Sequence, residues 1–186
     1  MKKLGFIVLW VLVTPITSSG QKQATYLKIA YEGGMFTHPG LSVGIERPLG
    51  SKKNAEGPRN EFRWGAKLAF YFHRRYQTGV FVLPGISWMK TTSGGFQYGV
   101  GFHTGYLRAF IPNTYLVSDD GSVTRKRFFG TNHFVSVPSF SLGKSLAKKN
   151  IPIEYFFNSQ VMIQKPYFEG SNIYYVFSIG INYNFN

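Results

Sequence analysis

The end of the chain alternates strictly between two kinds of side chain. The odd positions from Ile173 to Phe185 are all aliphatic or aromatic, and most even positions from Tyr174 to Asn186 carry small or polar side chains. Successive side chains of a β-strand point to opposite faces, so this segment predicts a long strand with one apolar and one mostly polar face. Such a strand suits a sheet whose two faces meet different environments.

The same period of two recurs through the chain, and turn signals separate eight predicted strands. They are residues 26–36, 41–47, 61–73, 76–90, 96–111, 132–146, 151–164 and 173–186. His38-Pro39-Gly40 predicts the first turn, and residues 49–60 predict a polar loop. Pro84 and Pro138 predict bulges or local breaks, because proline cannot donate to a strand ladder. The pattern leaves the register of the sixth strand ambiguous.

The alternation also assigns charged residues to one face. Those predicted on the polar faces are Lys28, Glu32, Glu46, Glu61, Arg63, Lys67 and Glu154, and the four glutamates are half of the 8 acidic residues in the chain. In a water-soluble barrel or sandwich these charges would face solvent. In a membrane barrel they would fill the lumen, where we expect salt bridges because unpaired buried charges are costly.

Strand length favours the membrane interpretation. Nearly every predicted strand reaches the ~9–11 residues that cross a bilayer, and the apolar faces carry aromatic residues near their ends, as interfacial belts do. The predicted fold is therefore all-β: an eight-stranded antiparallel up-and-down transmembrane β-barrel. An exported, water-soluble β-barrel or sandwich remains the alternative.

The N-terminus predicts export. Met1-Lys2-Lys3 precedes an apolar run from Gly5 to Val13, and small residues follow up to Gly20. This three-part layout predicts a signal peptide over residues 1–20, cleaved after Gly20, and a single barrel domain over 21–186. A retained N-terminal anchor is the alternative. The chain has no cysteine, which excludes a lipoprotein anchor, disulfides and thiolate metal sites.

Together these features resemble the small eight-stranded outer-membrane barrels of Gram-negative bacteria, the OmpA/OmpX type. The resemblance rests on the signal peptide, the amphipathic strands and the ending Tyr183-Asn184-Phe185-Asn186. It implies a location in the bacterial outer membrane, in contact with its lipid and lipopolysaccharide. It also implies that the last strand is the signal for the barrel-assembly machinery, here Phe177, Ile179, Ile181, Tyr183 and Phe185. Asn186 follows the final aromatic residue and departs from the family ending.

Four connections are predicted on the outer side, after the first, third, fifth and seventh strands, and the last two are the predicted contact sites. Residues 112–131 contain the hairpin signal Asp120-Gly121 between two β-prone runs and predict a protruding basic hairpin. The predicted contact residues are Arg125, Lys126 and Arg127 on this hairpin and Tyr167 and Phe168 on the next connection. They would meet an external protein or glycan ligand. The chain has 21 Lys and Arg against 8 Asp and Glu, which fits anionic lipid headgroups, and no nucleic-acid partner is expected of an exported chain.

The leading functional prediction is a non-enzymatic structural or surface-interaction role, with no cofactor, metal or catalytic residue assigned. A lipid A-modifying enzyme is the second hypothesis and would need a serine activated by a histidine. None of His38, His73, His103 and His133 has a serine two residues on. His133 and Ser136 are three residues apart, and a regular strand would put them on opposite faces. A narrow solute pore is the third. The sequence indicates neither a specific partner nor an oligomeric state.

Overall fold

A computed structural model describes residues 24–34, 38–49, 58–73, 78–111, 114–126, 129–167 and 170–185. The strands are β1 Thr25–Gly34, β2 His38–Leu49, β3 Arg59–Phe72, β4 Thr78–Thr91, β5 Phe96–Phe110, β6 Thr114–Val117, β7 Val123–Lys126, β8 Gly130–Ser145, β9 Ile153–Tyr167 and β10 Gly170–Phe185. A 3-10 helix covers Ala147–Lys149. The predicted signal peptide, residues 1–20, lies outside the described residues.

Eight of these strands close into one antiparallel barrel. Its order is β1-β2-β3-β4-β5-β8-β9-β10, and β10 pairs back onto β1 from Thr25↔Phe185 to Gly34↔Val176. β6 and β7 form a separate two-stranded hairpin between β5 and β8. The prediction of an all-β, eight-stranded antiparallel barrel is therefore confirmed. No helix in the described part of the chain is long and apolar enough to cross a bilayer.

The predicted turn at His38-Pro39-Gly40 is wrong, because these residues begin β2. Pro39 is aligned with Gly33 of β1, whereas the pairing of β2 with β3 starts only at Gly40↔Tyr71. Proline is tolerated in a strand where one edge has no ladder partner. The predicted loop at 49–60 is likewise too long, since β2 includes Leu49 and β3 begins at Arg59.

Pro84 and Pro138 interrupt pairing on one side of their strands without shifting the register. On β4, pairing with β5 passes from Val82↔Tyr106 to Gly85↔His103, while Pro84 stays aligned with Ala66 of β3. Pro138 of β8 behaves in the same way, because it is aligned with β5 but interrupts the pairing with β9. The predicted local breaks are present, and the predicted bulges are not.

Side chains alternate between the inside and the outside of the barrel on every barrel strand. On β3, for example, Phe62 and Leu68 point outward and are 58% and 49% exposed, whereas Arg63 points inward and is 1% exposed. The register with β5 also settles β8, whose odd positions His133, Val135 and Val137 face inward and are buried. Large apolar side chains thus cover the outside of the barrel.

Glycines permit close approach of neighbouring strands, and Gly65 of β3 is the clearest case. A Cβ atom there would lie 2.1 Å from the carbonyl oxygen of Ile45 on β2, so the backbone would have to move. We expect Gly65→Ala to lower the free energy of unfolding by about 1–3 kcal/mol. Urea titration of the detergent-folded barrel, followed by tryptophan fluorescence, measures this. Gly170→Ala is the matched control because nothing lies within 4 Å of its Cβ position, and equal losses for both variants would contradict the steric explanation.

Candidate functional sites in the barrel interior and on the hairpin

The barrel half that contains the barrel termini, Thr25 and Phe185, is filled by a charge cluster around Arg63. The guanidinium Nη1 lies 3.0 Å from Glu154 Oε2, and Nη2 lies 2.9 Å from Glu61 Oε2. The guanidinium also lies 4.1 Å from the centre of the Tyr26 ring, within the range of a cation–π contact. Arg63 is almost completely buried, so these contacts replace its hydration.

Two lysine–glutamate pairs extend the cluster towards the middle of the barrel. Lys28 Nζ lies 2.9 Å from Glu46 Oε1, and Lys67 Nζ lies 3.0 Å from Glu32 Oε1. Arg63 Nη1 lies 3.9 Å from Glu46 Oε2 and thereby links the Lys28–Glu46 pair to the Arg63 cluster. All seven predicted lumen residues therefore lie inside the barrel, and each one forms an ion pair.

Arg59 is a member of the charge cluster that the sequence analysis missed. Its Nε lies 2.8 Å from Glu61 Oε1, and its side chain is 26% exposed at the end of the barrel. The predicted third strand began at Glu61, which left Arg59 in the loop. With Arg59, the described interior holds four glutamates, two lysines and two arginines, so its formal charges balance.

Buried amides and hydroxyls complete the hydrogen bonding of the interior carboxylates. Gln97 Nε2 donates to Glu154 Oε1 at 2.8 Å, and Asn182 Nδ2 donates to Glu154 Oε2 at 3.3 Å. Ser42 Oγ donates to Glu32 Oε1 at 2.6 Å. These residues lie at inward positions of the alternating pattern, so the sequence could have identified them as lumen-facing. Packed side chains thus occupy this half of the lumen, which gives the solute-pore hypothesis no support from the geometry.

The opposite half of the interior is apolar and contains a cavity of about 90 Å³. Its walls include Ala69, Tyr71, Phe81, Leu83, Met162 and Val176. Its floor is the Lys67–Glu32 pair, and it reaches the barrel end where β1 finishes at Gly34 and β2 begins at His38. The sequence pattern does not predict this cavity.

The β6–β7 hairpin projects from the same end as the cavity, and it carries part of the predicted contact surface. Arg125 is exposed, and Tyr115, Val117 and Val123 are 54%, 71% and 63% exposed. The register Tyr115↔Arg125 and Val117↔Val123 puts these four residues on one face. The three apolar members of this face were not predicted. Arg127 and Phe168 lie outside the described residues; Lys126 ends β7 and Tyr167 ends β9.

The tip of the hairpin is a hydrogen-bonded turn. Gly121 has φ 81° and its N–H donates to the Ser118 carbonyl at 2.9 Å. The Ser122 N–H donates to Asp120 Oδ1 at 2.9 Å. Hydrogen bonds from the side chain and backbone of Ser122 hold the pKa of Asp120 below its usual range. The Asp119-Asp120-Gly121 segment therefore acts as a turn.

The structure separates the one histidine–serine pair that the sequence analysis weighed, His133 and Ser136. His133 faces inward, where its Nδ1–H donates to the Pro166 carbonyl and its Nε2 accepts from the Thr131 hydroxyl, both at 2.6 Å. Ser136 is on the opposite face of β8. His103 also faces inward, and the His38 and His73 rings are 4.5 Å apart at the end of the barrel distant from the chain ends. Among the described residues, no group of His, Cys, Asp and Glu could hold a metal ion.

Comparison with models of known protein families and with curated proteins finds no match to this chain. The resemblance to barrels of the OmpA/OmpX type therefore stays a prediction.

Proposed function

We propose that the protein is an integral β-barrel of the bacterial outer membrane with a structural or surface-interaction role. The observation that carries this proposal is the distribution of side chains in the closed barrel. Apolar and aromatic residues cover the outside, while the interior holds ion-paired charges. A water-soluble barrel buries its apolar face, whereas a membrane barrel turns that face to lipid and keeps the polar face in the lumen.

The extent of the outer apolar surface supports lipid as its solvent. Ile45, Phe62, Ile86 and Ile179 lie on four different strands, and each is more than half exposed. Soluble monomers rarely expose continuous apolar patches beyond a few hundred Å². The barrel strands contain 10 to 16 residues, which meets the ~9–11 needed to cross the hydrocarbon core at a tilt.

The outward-facing charges support the same interpretation. Arg47, Lys90 and Lys144 lie near the strand ends beside the chain termini, and Arg108 and Lys165 lie near the opposite strand ends. No acidic side chain in the described barrel strands faces outward. Two basic rims around an apolar band match a bilayer whose anionic headgroups, including lipopolysaccharide phosphates, lie at its two surfaces.

Aromatic side chains accompany the basic rims. Near the chain ends, the Trp88 and Tyr98 rings are 6.3 Å apart and the Tyr183 and Phe185 rings are 4.9 Å apart, all on the outer face. Lys90 Nζ lies 5.9 Å from the centre of the Tyr98 ring. Tryptophan and tyrosine are enriched at membrane–water interfaces because one side of the ring system is apolar and the other polar.

The outer membrane and its assembly machinery follow from the proposed export. Residues 1–20 would direct export, and β10 would present Phe177, Ile179, Ile181, Tyr183 and Phe185 to the barrel-assembly machinery as a continuous outward row. The hairpin would then extend outside the cell, because it belongs to the connection at the end of the barrel away from the termini. Its face of Tyr115, Val117, Val123 and Arg125 would contact an external protein or glycan ligand.

Limited proteolysis of intact cells tests both the location and the orientation. We expect trypsin to cut at Arg125 and Lys126, because the hairpin is exposed and makes no barrel pairing. Lys148 and Lys149 are exposed too, but they lie at the barrel end beside the termini, so they should be cut only after the cells are opened.

Immunoblots of the fractionated membranes measure these cleavages. A tag on the barrel distinguishes the fragment cut in the hairpin from the fragment cut at Lys148 and Lys149 by its length. Cleavage at Lys148 and Lys149 in intact cells would contradict the orientation. Recovery of the chain without detergent would contradict the membrane location. Replacing Arg125, Lys126 and Arg127 with glutamine should abolish the hairpin cleavage and serves as the control for site assignment.

A further inference from the structure

We propose that the apolar cavity in the barrel end away from the termini is a binding site for a small, uncharged amphiphile. The ligand would insert an aromatic ring or a short alkyl chain between β3, β4, β9 and β10. Its polar group would remain at the mouth, beside His38 and Asn172. This site is inside the barrel and does not depend on which solvent meets the outer face.

The contrast between the two halves of the interior is the first argument. In the half beside the termini, long inward side chains reach across the lumen, and the almost fully buried Arg63 and Gln97 meet at Glu154. In the other half, two small side chains, Ala69 and Val176, line the open space. Protein interiors are normally packed with few voids larger than one water molecule. Larger residues at these two positions would fill the space, so the side chains present keep it open.

The chemistry of the walls selects an apolar group. Phe81 and Leu83 are 4% and 0% exposed, and Met162 is 4% exposed, so the cavity walls are removed from solvent. The Tyr71 and Phe81 rings are 5.3 Å apart and form one continuous aromatic wall. Sites that bind small molecules have this composition, in which an apolar cavity is combined with a few polar groups that orient the ligand.

The floor of the cavity argues against a charged ligand. Lys67 Nζ already lies 3.0 Å from Glu32 Oε1 and 3.3 Å from Gln160 Oε1. Glu32 Oε1 also accepts from Ser42 Oγ. Because the two charges compensate each other, an additional buried charge would have no counter-ion there. The polar group of the ligand therefore belongs at the mouth, near the Asn172 amide and the His38 ring.

The size of the cavity limits the inserted group. A cavity needs ~10–15 Å³ to hold one buried water molecule. By the same measure, this cavity has a volume of about 90 Å³. The cavity therefore accommodates several non-hydrogen atoms, which corresponds to a phenyl ring or a short alkyl chain. A full-length lipid acyl chain is too long for it.

Photolabelling tests the proposal, because a ligand in the cavity would label inward residues of a strand, whereas a ligand dissolved in lipid would label the outward residues that alternate with them. The full barrel in lipid nanodiscs is irradiated with 1-hexanol that carries a diazirine at carbon 5, and the adducts are located by mass spectrometry. We expect saturable adducts on the inward residues Tyr71, Phe81 and Met162, which excess unlabelled 1-hexanol removes. Probe in the bilayer would instead label the outward neighbours Phe70 and Val82 without saturation.

Matched variants on β3 complete the test. Ala69→Leu fills the cavity and should lower inward labelling by about tenfold or more, a difference of about 1.4 kcal/mol. Ala66→Leu makes the same change on the outward face and should leave labelling unchanged. Heat-dependent gel mobility verifies that each variant is folded.

Inward adducts that resist competition by 1-hexanol, or adducts confined to outward residues, would overturn the proposal. Undiminished inward labelling in a folded Ala69→Leu variant would also overturn it. If that variant does not fold, the position and competition of the wild-type adducts decide the question by themselves.

Discussion

Replacing Arg63 with methionine is expected to lower the free energy of unfolding by about 3–5 kcal/mol, the largest single effect in the barrel. The substitution removes the cation that lies 2.9 Å from Glu61 and 3.0 Å from Glu154, and both carboxylates are almost fully buried. Methionine fills much of the volume, so the loss is mainly electrostatic. Arg59 remains 2.8 Å from Glu61 and 3.8 Å from Glu154, but its side chain is 26% exposed, so we expect it to compensate the two carboxylates only in part.

Urea unfolding of the detergent-folded barrel measures the effect of the Arg63 substitution. Trp64 and Trp88, which lie on the outer face of the barrel, report the transition. Arg125→Met on the exposed hairpin is the matched control and should change stability by less than about 0.5 kcal/mol. Adding Glu154→Gln to Arg63→Met should restore part of the loss because it removes one uncompensated charge. Equal stability of Arg63→Met and the wild type would refute the proposed electrostatic role of the interior network.

Replacing Val43 with arginine is expected to destabilise the barrel by about 2–4 kcal/mol in a lipid bilayer, because the charge would sit near the bilayer midplane. Val43 lies in the middle of β2, faces outward and is 44% exposed. Leu49 lies at the end of the same strand, on the same face, and is 50% exposed. Leu49→Arg should cost only ~0–1 kcal/mol, since a charge near the interface reaches water.

The pair Val43→Arg and Leu49→Arg distinguishes lipid from water because the exposed fractions of the two side chains are similar, 44% and 50%. Reversible folding into phospholipid vesicles, followed by tryptophan fluorescence across a denaturant series, gives both free energies. A barrel whose outer face meets water would tolerate both substitutions equally. Two losses below about 0.5 kcal/mol would contradict the membrane interpretation.

Alternation predicted the barrel well where the two faces of a strand differ in polarity. The inward positions of Lys28, Glu32, Arg63 and Lys67 follow directly from the alternation along each strand, because apolar neighbours in the sequence occupy the other face. The alternation does not indicate which acid meets which base, because an inward side chain can reach its own strand, the next strand or a strand that is distant in the sequence. Arg63 and Glu154, for example, come from β3 and β9.

The apolar cavity escaped prediction for a related reason. Leu83 of β4 lines the cavity, and Val135 and Val137 of β8 belong to the same buried apolar cluster. All three face inward, but their outward neighbours Val82 and Phe134 are also apolar. Without a contrast in polarity, the period of two disappears, and the sequence leaves the register of β8 ambiguous. The volume left between inward side chains depends on four strands at once, so no local pattern encodes it.

The depth of the outer face in a bilayer is the most direct test of the proposed membrane location. The chain has no cysteine, so single cysteines at Leu41, Val43, Ile45, Arg47 and Leu49 would each carry a unique nitroxide. In vesicles, we expect collision with oxygen to be greatest at Val43 and collision with a water-soluble nickel chelate to be least there, with the trend reversing towards Leu49. Equal access of the nickel chelate to all five outward positions would contradict a barrel that spans the membrane.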